Sequence, residues 1–302
     1  MGNKRDSIAV IGNVTLDIIC KTVDEVHRHD SLSFQESAVT PGGCGSNTAI
    51  GLASMGETVF LIACVGNDMA AEMLRKTWIK AGIDISFVRE CPGFSTGVSV
   101  GLVDSNLQPR FIHTPGANGC LKAAALDPDK LLESQVGYLH TAGYFVLPGL
   151  LEPDFADSLQ EVRKVGIFTT LDVVTSPAMY HPDSLWPLLP ALDIFLCNLP
   201  EAGVLTGSLD PGSAADLLHA RGSRTVVIKL GAGGCWLSED GKGRTIPPGK
   251  TRQVVDTTGA GDAFAAGLLA GLRDGMDLDS ACRQANQQGA AAVGYLGAVQ
   301  IG

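Results

Sequence analysis

The chain has 302 residues, 45% of them hydrophobic and 18% charged, proportions that suit a large buried core and exclude an intrinsically disordered protein. Its 22 basic and 32 acidic residues leave a net charge of -10, which excludes a general affinity for nucleic acid or an anionic membrane surface. A small-molecule ligand is expected instead, and an anionic one needs local donors to overcome the overall field.

The opening "MGNKRDSIAVIGNV" carries basic residues, but its apolar stretch is broken at Gly12 and Asn13 and reads as a first strand, not a signal peptide. Asp6 stands where N-myristoylation calls for serine or threonine. No apolar run is long enough to span a bilayer. Eight scattered cysteines (20, 44, 64, 91, 120, 197, 235 and 282) form no C-x-x-C pair and read as buried free thiols, and a cytoplasmic location is expected.

Along "SIAVIGNVTLDII" one face is apolar while the other turns polar through Asn13, Thr15 and Asp17. Ligands of open α/β sheets bind beyond the carboxyl ends of the strands, so Asp17 and Thr15 are candidate acceptors for the hydroxyls of a polyol; the alternative is a solvated strand end. Two segments, about residues 18–40 and 96–113, are extended and lack a crossover helix. They are expected either to pair as a small antiparallel sheet forming a lid over one edge of the core, or to be surface loops.

Next, "TPGGCGSNTAIGLASMG" places glycines at 42, 43 and 45 before a helix, where Asn47 serves either as an N-cap or as a ligand donor. Strand candidates "TVFLIACVG", "VGYLHTAG", "GIFTTLDVV", "LDIFLCN" and "TVVIKLG" are interspersed with helix candidates such as "AAEMLRKTWIKAG" and "PDFADSLQEVRKVG". That alternation predicts a mostly parallel sheet with helices on both faces. With no internal repeat and no linker, residues 1–302 are expected to form one domain.

In "LCNLPEAGVLTG", Asn198 and Glu201 stand three apart at a helix start, a spacing that suits either water-mediated magnesium binding or ordinary capping. "VVIKLGAGGCWLS" sets Gly231, Gly233 and Gly234 after a strand, yet there is no P-loop sequence and no strand–loop–helix dinucleotide fingerprint. The loop is expected to flank a purine. Finally, "VVDTTGAGDAFAAGLLAGL" turns at Gly259, Ala260 and Gly261 into a small-residue helix with Asp262 in its first turn. Amides at such a helix start stabilise negative charge, and charge of that sign develops on a phosphoryl group in transfer; Asp262 would then be the base. The alternative is an aspartate that merely complements the helix dipole.

"DTTGAGDAFAAGLL" resembles the C-terminal signature of the ribokinase-like family, the pfkB carbohydrate kinases, and "GGCGSNTAIGLASMG" resembles its N-terminal signature. The likeness spans the chain in order through "CVGND", "PGAN", "NLPE" and "KLGAGG". It implies a three-layer α/β/α sandwich with a β lid and an ATP-dependent sugar kinase using Mg2+. In such a site Asp262 is the base, Gly259 to Gly261 the anion hole, and Asp17, Gly43 and Asn47 sugar ligands. Asn198 and Glu201 fall in the ATP–magnesium region, and Lys229, Gly231, Gly233, Gly234 and Asn286 line the adenine pocket. Asp256 matches a group beside a monovalent cation, K+, and a homodimer through the lid is expected. Thr15 and Cys44 replace the asparagine and lysine of ribokinases, which argues against strict ribose specificity. Arg110 is a candidate contact for an oxygen-rich substrate. A nucleoside is the alternative acceptor, with Phe34, Tyr144 and Phe145 available to stack on a base. A non-catalytic sugar sensor on the same scaffold is a third reading, disfavoured by the intact base and anion hole.

Overall fold

The computed structural model of the chain describes residues 5–29, 31–105, 109–251, 253–294 and 297; Met1 and Gly2 of the myristoylation reading lie outside them. Within these residues the strands are β1 (Ser7–Gly12), β2 (Thr15–Lys21), β3 (Glu36–Gly42), β4 (Val59–Val65), β5 (Val88–Glu90), β6 (Val98–Val103), β7 (Pro109–Thr114), β8 (Val136–Ala142), β9 (Phe168–Asp172), β10 (Ile194–Asn198), β11 (Thr225–Lys229), β12 (Cys235–Glu239) and β13 (Lys242–Ile246). The α-helices are α1 (Cys44–Ser54), α2 (Met69–Lys80), α3 (Pro128–Glu133), α4 (Asp154–Lys164), α5 (Leu199–Thr206), α6 (Pro211–Ala220), α7 (Ala260–Arg273) and α8 (Leu278–Ala292).

Nine strands form one sheet in the order β13-β12-β11-β10-β9-β8-β1-β4-β5, parallel from β11 to β5, with β12 and β13 added antiparallel at one edge. Parallel strands this deep are buried on both faces, which is why they read as continuous apolar runs. One face is covered by α3 to α6 through Leu131, Phe155, Leu159, Val162, Ala202 and Leu218. On the other face lie α1, α2, α7 and α8, packed through residues such as Leu52, Trp78, Leu269 and Ala285. The expected α/β/α sandwich is therefore what forms. The chain leaves β1 for β4 on one side, and β8 returns on the other, so the topological switch point lies between β1 and β8.

Local chemistry sets the helix boundaries. Asp68 caps α2 by accepting from Ala71 N at 2.9 Å, with Glu72 in the first turn and Lys80 in the last, as the helix dipole favours. Similar aspartate caps start α3, α6 and α8. All eight cysteines are free thiols, and no helix of the described residues is long and apolar enough to cross a membrane.

Two expectations are corrected. "SIAVIGNVTLDII" is not one strand: it breaks at Asn13 and Val14, so β1 belongs to the main sheet and β2, which carries Asp17, to a second sheet of order β3-β2-β6-β7. That second sheet takes in the two extended segments but is mixed, because β2 and β6 pair in parallel while β2–β3 and β6–β7 are antiparallel. The physical reason is that β6 arrives from the core beside β2 and runs in the same direction.

Asn118 stitches the two sheets together. Its amide nitrogen donates to the carbonyls of Val14 and Pro115, each at 2.8 Å, and its carbonyl accepts from Val14 N at 2.8 Å. Asp68 makes a second stitch, accepting from Thr96 N and Thr96 Oγ1 at 2.7 and 2.6 Å. Removing the Asn118 side chain leaves a buried backbone donor and acceptor of Val14 unpaired, so Asn118→Ala should lower stability by about 2–4 kcal/mol in urea unfolding. An unfolding midpoint equal to that of the parent would show that the stitch is dispensable.

Candidate active site

The break after β1 brings four chain passages to the carboxyl edge at the switch point. Asn13 accepts from Cys44 N at 3.1 Å and so fixes where α1 starts. Asn47 is not an N-cap, because α1 begins three residues earlier; its Nδ2 instead donates to Asp262 Oδ2 at 2.8 Å, across 215 residues of sequence. The bond places the N-terminal turns of α1 and α7 side by side. Asn47 is 6% exposed, and its Oδ1 has no hydrogen-bond partner within the described residues.

At the start of α7, Gly259 has φ 76°, a left-handed conformation that lets the chain turn into the helix. Ala260 N–H is turned back on Thr257 O at 3.3 Å, whereas Gly261 N–H meets no acceptor among the described residues. The Cys44 thiol also faces Asp262. Burial pushes the Asp262 carboxyl up to about 7, with Asn47 and Cys44 holding it back.

Beneath α7 the ends of β9 and β11 carry opposite charges. Lys229 Nζ contacts both oxygens of Asp172, at 2.6 and 2.8 Å, and both side chains are nearly buried. Burial works against the ammonium, but Asp172 and Glu201 override it and raise its pKa; burial likewise raises Asp172, with Lys229 pulling it back. On the same face His140 Nδ1 pairs with Thr170 Oγ1 at 2.8 Å; burial and then Lys229 lower its pKa to about 3, so the ring is neutral.

Asn198 and Glu201 form a reciprocal capping box on α5: Glu201 N donates to Asn198 Oδ1 at 2.8 Å and Asn198 N donates to a Glu201 oxygen at 2.7 Å. Glu201 is nonetheless buried beside Lys229, and burial raises its carboxyl to about 7. Gly231, Gly233 and Gly234 form a one-turn 3-10 helix and its cap after β11. Asn286, from α8, donates to the carbonyls of Ile246 and Pro247 at 3.3 and 2.8 Å, while Gly234 lies against Ile246 O. The glycine rim, the exit of β13 and α8 thus border one corner.

On the second sheet, Thr15 Oγ1 donates to Asp17 Oδ1 at 2.6 Å, so Thr15 is spent on holding Asp17. The Asp17 carboxylate lies over Gly42 so closely that a Cβ there would sit 2.0 Å from its Oδ2, which explains a glycine at that position. Burial raises the Asp17 carboxyl, and Thr15 lowers it. Gly43 follows as the residue that starts α1.

Four expected residues have other partners. Arg110 stays away from this group, because its Nη2 donates to the carbonyls of Val23 and Asp24 at 2.8 and 2.9 Å. Asp256 accepts from Thr258 N and Thr258 Oγ1 and from Gly297 N, at 2.9, 2.7 and 2.9 Å, ordering the turn before α7. Tyr144 and Phe145 do not face the cleft: both are buried, and they pack on each other and, through Tyr144, on Phe155. Asp172 was missed by sequence reasoning, although a charged residue closing the apolar run "FTTLD" is a signal of its own.

This fold and this site define a class, a three-layer α/β scaffold with a second small sheet and a carboxylate at a helix start by the switch point. A profile of the pfkB family carbohydrate kinases matches residues 5–301. The chain belongs to the pfkB family of carbohydrate kinases and is an ATP-dependent kinase of that class. It is 28% identical to a ribokinase of Haemophilus influenzae, over 92% of this chain and 89% of that one. A cytidine kinase of Thermococcus kodakarensis is 27% identical, over 91% and 92% respectively. The structure of Arabidopsis thaliana ribokinase complexed with ribose and ATP superposes with a TM-score of 0.84 at 24% identity, covering 97% of this chain and 94% of that one.

A carboxyl raised from 3.8 to about 7 binds its proton more tightly in the folded state. Its contribution to stability is full below about pH 4 and is lost as pH rises toward 7. In the absence of ligands, Asp262→Asn should therefore be more stable than the parent by about 1–3 kcal/mol at pH 8, the gap shrinking toward pH 4. A pH-independent gap in denaturant unfolding would count against the buried carboxyl.

Proposed function

We propose that this kinase transfers the γ-phosphoryl group of ATP to a hydroxyl of a small sugar, with Asp262 as the general base. The observation that carries the reading is the Asn47–Asp262 bond, which holds a carboxylate of raised pKa at the start of α7 next to the N–H of Gly261, which meets no acceptor among the described residues. Asp17, Asn47 and the backbone of Gly43 bind and orient the sugar, with Thr15 positioning Asp17. The turn from Gly259 to Gly261 receives the developing phosphoryl charge. ATP lies along the corner bordered by Gly231, Gly233, Gly234 and Asn286.

The donor set suits magnesium: Glu201 supplies a hard carboxylate oxygen, and the burial that raises it is relieved by a cation. Glu201, with Asn198, would hold Mg2+ through water. When bound with ATP, the ion neutralises phosphate charge. Asp256 is the group that would border K+, which the potassium dependence of the initial rate tests. Residues about 18–40 and 96–113 act as the lid of the single domain, excluding water once the sugar is bound. Val39, Phe111 and Ile112 expose apolar surface on that sheet and fit pairing of two copies, which sedimentation velocity decides.

A sugar is favoured over a nucleoside because Tyr144 and Phe145, two of the three aromatic residues available to stack on a base, are packed in the core. Similarity to the cytidine kinase supports the nucleoside reading, with Phe34, which is exposed, as the remaining aromatic. An ADP-release screen over ribose, fructose, 2-keto-3-deoxygluconate, tagatose-like sugars and nucleosides separates the two. Release with no acceptor would refute the reading.

Two variants test the roles. Asp262→Asn should reduce turnover by roughly two to four orders of magnitude with sugar affinity nearly unchanged in calorimetry. Turnover within a few-fold of the parent would remove Asp262 as the base. Glu201→Gln should raise the magnesium concentration needed for half-maximal rate by about tenfold at saturating ATP, while sugar binding is retained. An unaltered magnesium curve would leave Glu201 as a capping residue only.

A further inference from the structure

Lys229 is a nearly buried cation with two of its donors accounted for. An ammonium carries three N–H donors; two are directed at the oxygens of Asp172, at 2.6 and 2.8 Å. The third has no acceptor within the described residues. Nζ also lies only 3.3 Å from the point a Cβ would occupy on Gly261, so the ammonium stands at the first turn of α7 beside the N–H of that same residue. Burying an ion pair contributes little to stability compared with apolar side chains of the same volume, so its presence at the mouth of the site calls for a task beyond holding the sheet. Gly231 and Gly233, which follow on the rim, are exposed, whereas the ammonium reaches inward. Its surroundings are thus those of a phosphate group, not of an adenine ring.

We infer, resting on the phosphoryl-transfer reading above, that Lys229 is a catalytic residue whose ammonium binds the transferring phosphoryl group beside the Gly261 amide, and that Asp172 is the residue that positions it. In the step, the acceptor hydroxyl oxygen forms a bond to the γ-phosphorus. The bond from that phosphorus to the β–γ bridging oxygen breaks, leaving its electron pair on ADP. The hydroxyl proton passes to Asp262. Lys229 keeps its three protons throughout and supplies a full positive charge where backbone amides supply only partial ones. Asp172 fixes two of the three donors, so the third has one direction left.

The test uses the full chain with Lys229→Met, Lys229→Arg and the charge-balanced pair Lys229→Met with Asp172→Leu. Calorimetry without sugar compares ADP with a non-hydrolysable ATP analogue at fixed magnesium, and turnover is measured with the best acceptor. Lys229→Met and the double variant should both lose turnover by about 100- to 1,000-fold. Both should bind ADP within about threefold of the parent while losing the parent's preference for the ATP analogue; Lys229→Arg, which keeps the charge, should retain part of that preference. A double variant that recovers turnover to within about fivefold of the parent, or keeps the preference, would overturn the inference and leave Lys229 as a counter-ion of Asp172. If no acceptor yields ADP with the parent, the proposed reaction fails, and the comparison of analogue with ADP still decides whether Lys229 meets the γ-phosphate.

Discussion

The hydrogen bond from Asn47 to Asp262 is the constraint around which the rest of the molecule is arranged. It can form only if α1 and α7 lie against the same face of the sheet with their first turns level. Small residues make that approach feasible: Gly45 packs on the backbone of Gly12, and Gly51 faces Ala266. The consequence is electrostatic as well as geometric, because two helix N-termini converge on one point at the switch between β1 and β8. A fold that spaced these helices by one large side chain would lose both the bond and the convergence.

The same arrangement concentrates charge in a place that can barely solvate it. Asp172, Glu201 and Asp262 surround a single lysine, and burial raises all three carboxyls. Such a cluster is a poor way to stabilise a protein, and under the proposed reading the cation that accompanies ATP relieves the negative charge that one lysine leaves unbalanced. Stability and function pull in opposite directions here, and the apolar layers on either side of the sheet supply what the cluster costs.

The parallel strands and both helical layers were legible because their apolar runs have unambiguous periods and lengths. The glycine turn before Asp262 was legible for a different reason, namely that few sequences combine such a turn with an acidic first helical turn and so many small residues. What escaped was decided by tertiary contact. The apolar stretch is interrupted at Gly12 and Asn13, but the alternation resumes at Val14, so the period did not show that β1 and β2 belong to different sheets. Arg110 had no visible reason to spend its guanidinium on Val23 and Asp24 until the strands were paired. Asn47, taken alone, read more as a cap than as a ligand donor, because the extra turn of α1 depends on Asn13 reaching Cys44 N. The Asp172–Lys229 pair joins two strands with β10 between them, a proximity that only the strand order reveals.

The break at Asn13 and Val14 also divides the molecule by heredity. Asp17 and Gly42 travel with the small sheet, whereas Asp262, Lys229, Asp172 and Glu201 travel with the large one, and the two are joined through short backbone crossings held by Asn118 and Asp68. The two sheets share no strand, so a substitution within the small one touches no strand pairing of the large one. Under the proposed reading, the choice of acceptor can drift while the phosphate chemistry stands still, so one scaffold can diversify its substrates without rebuilding its reaction.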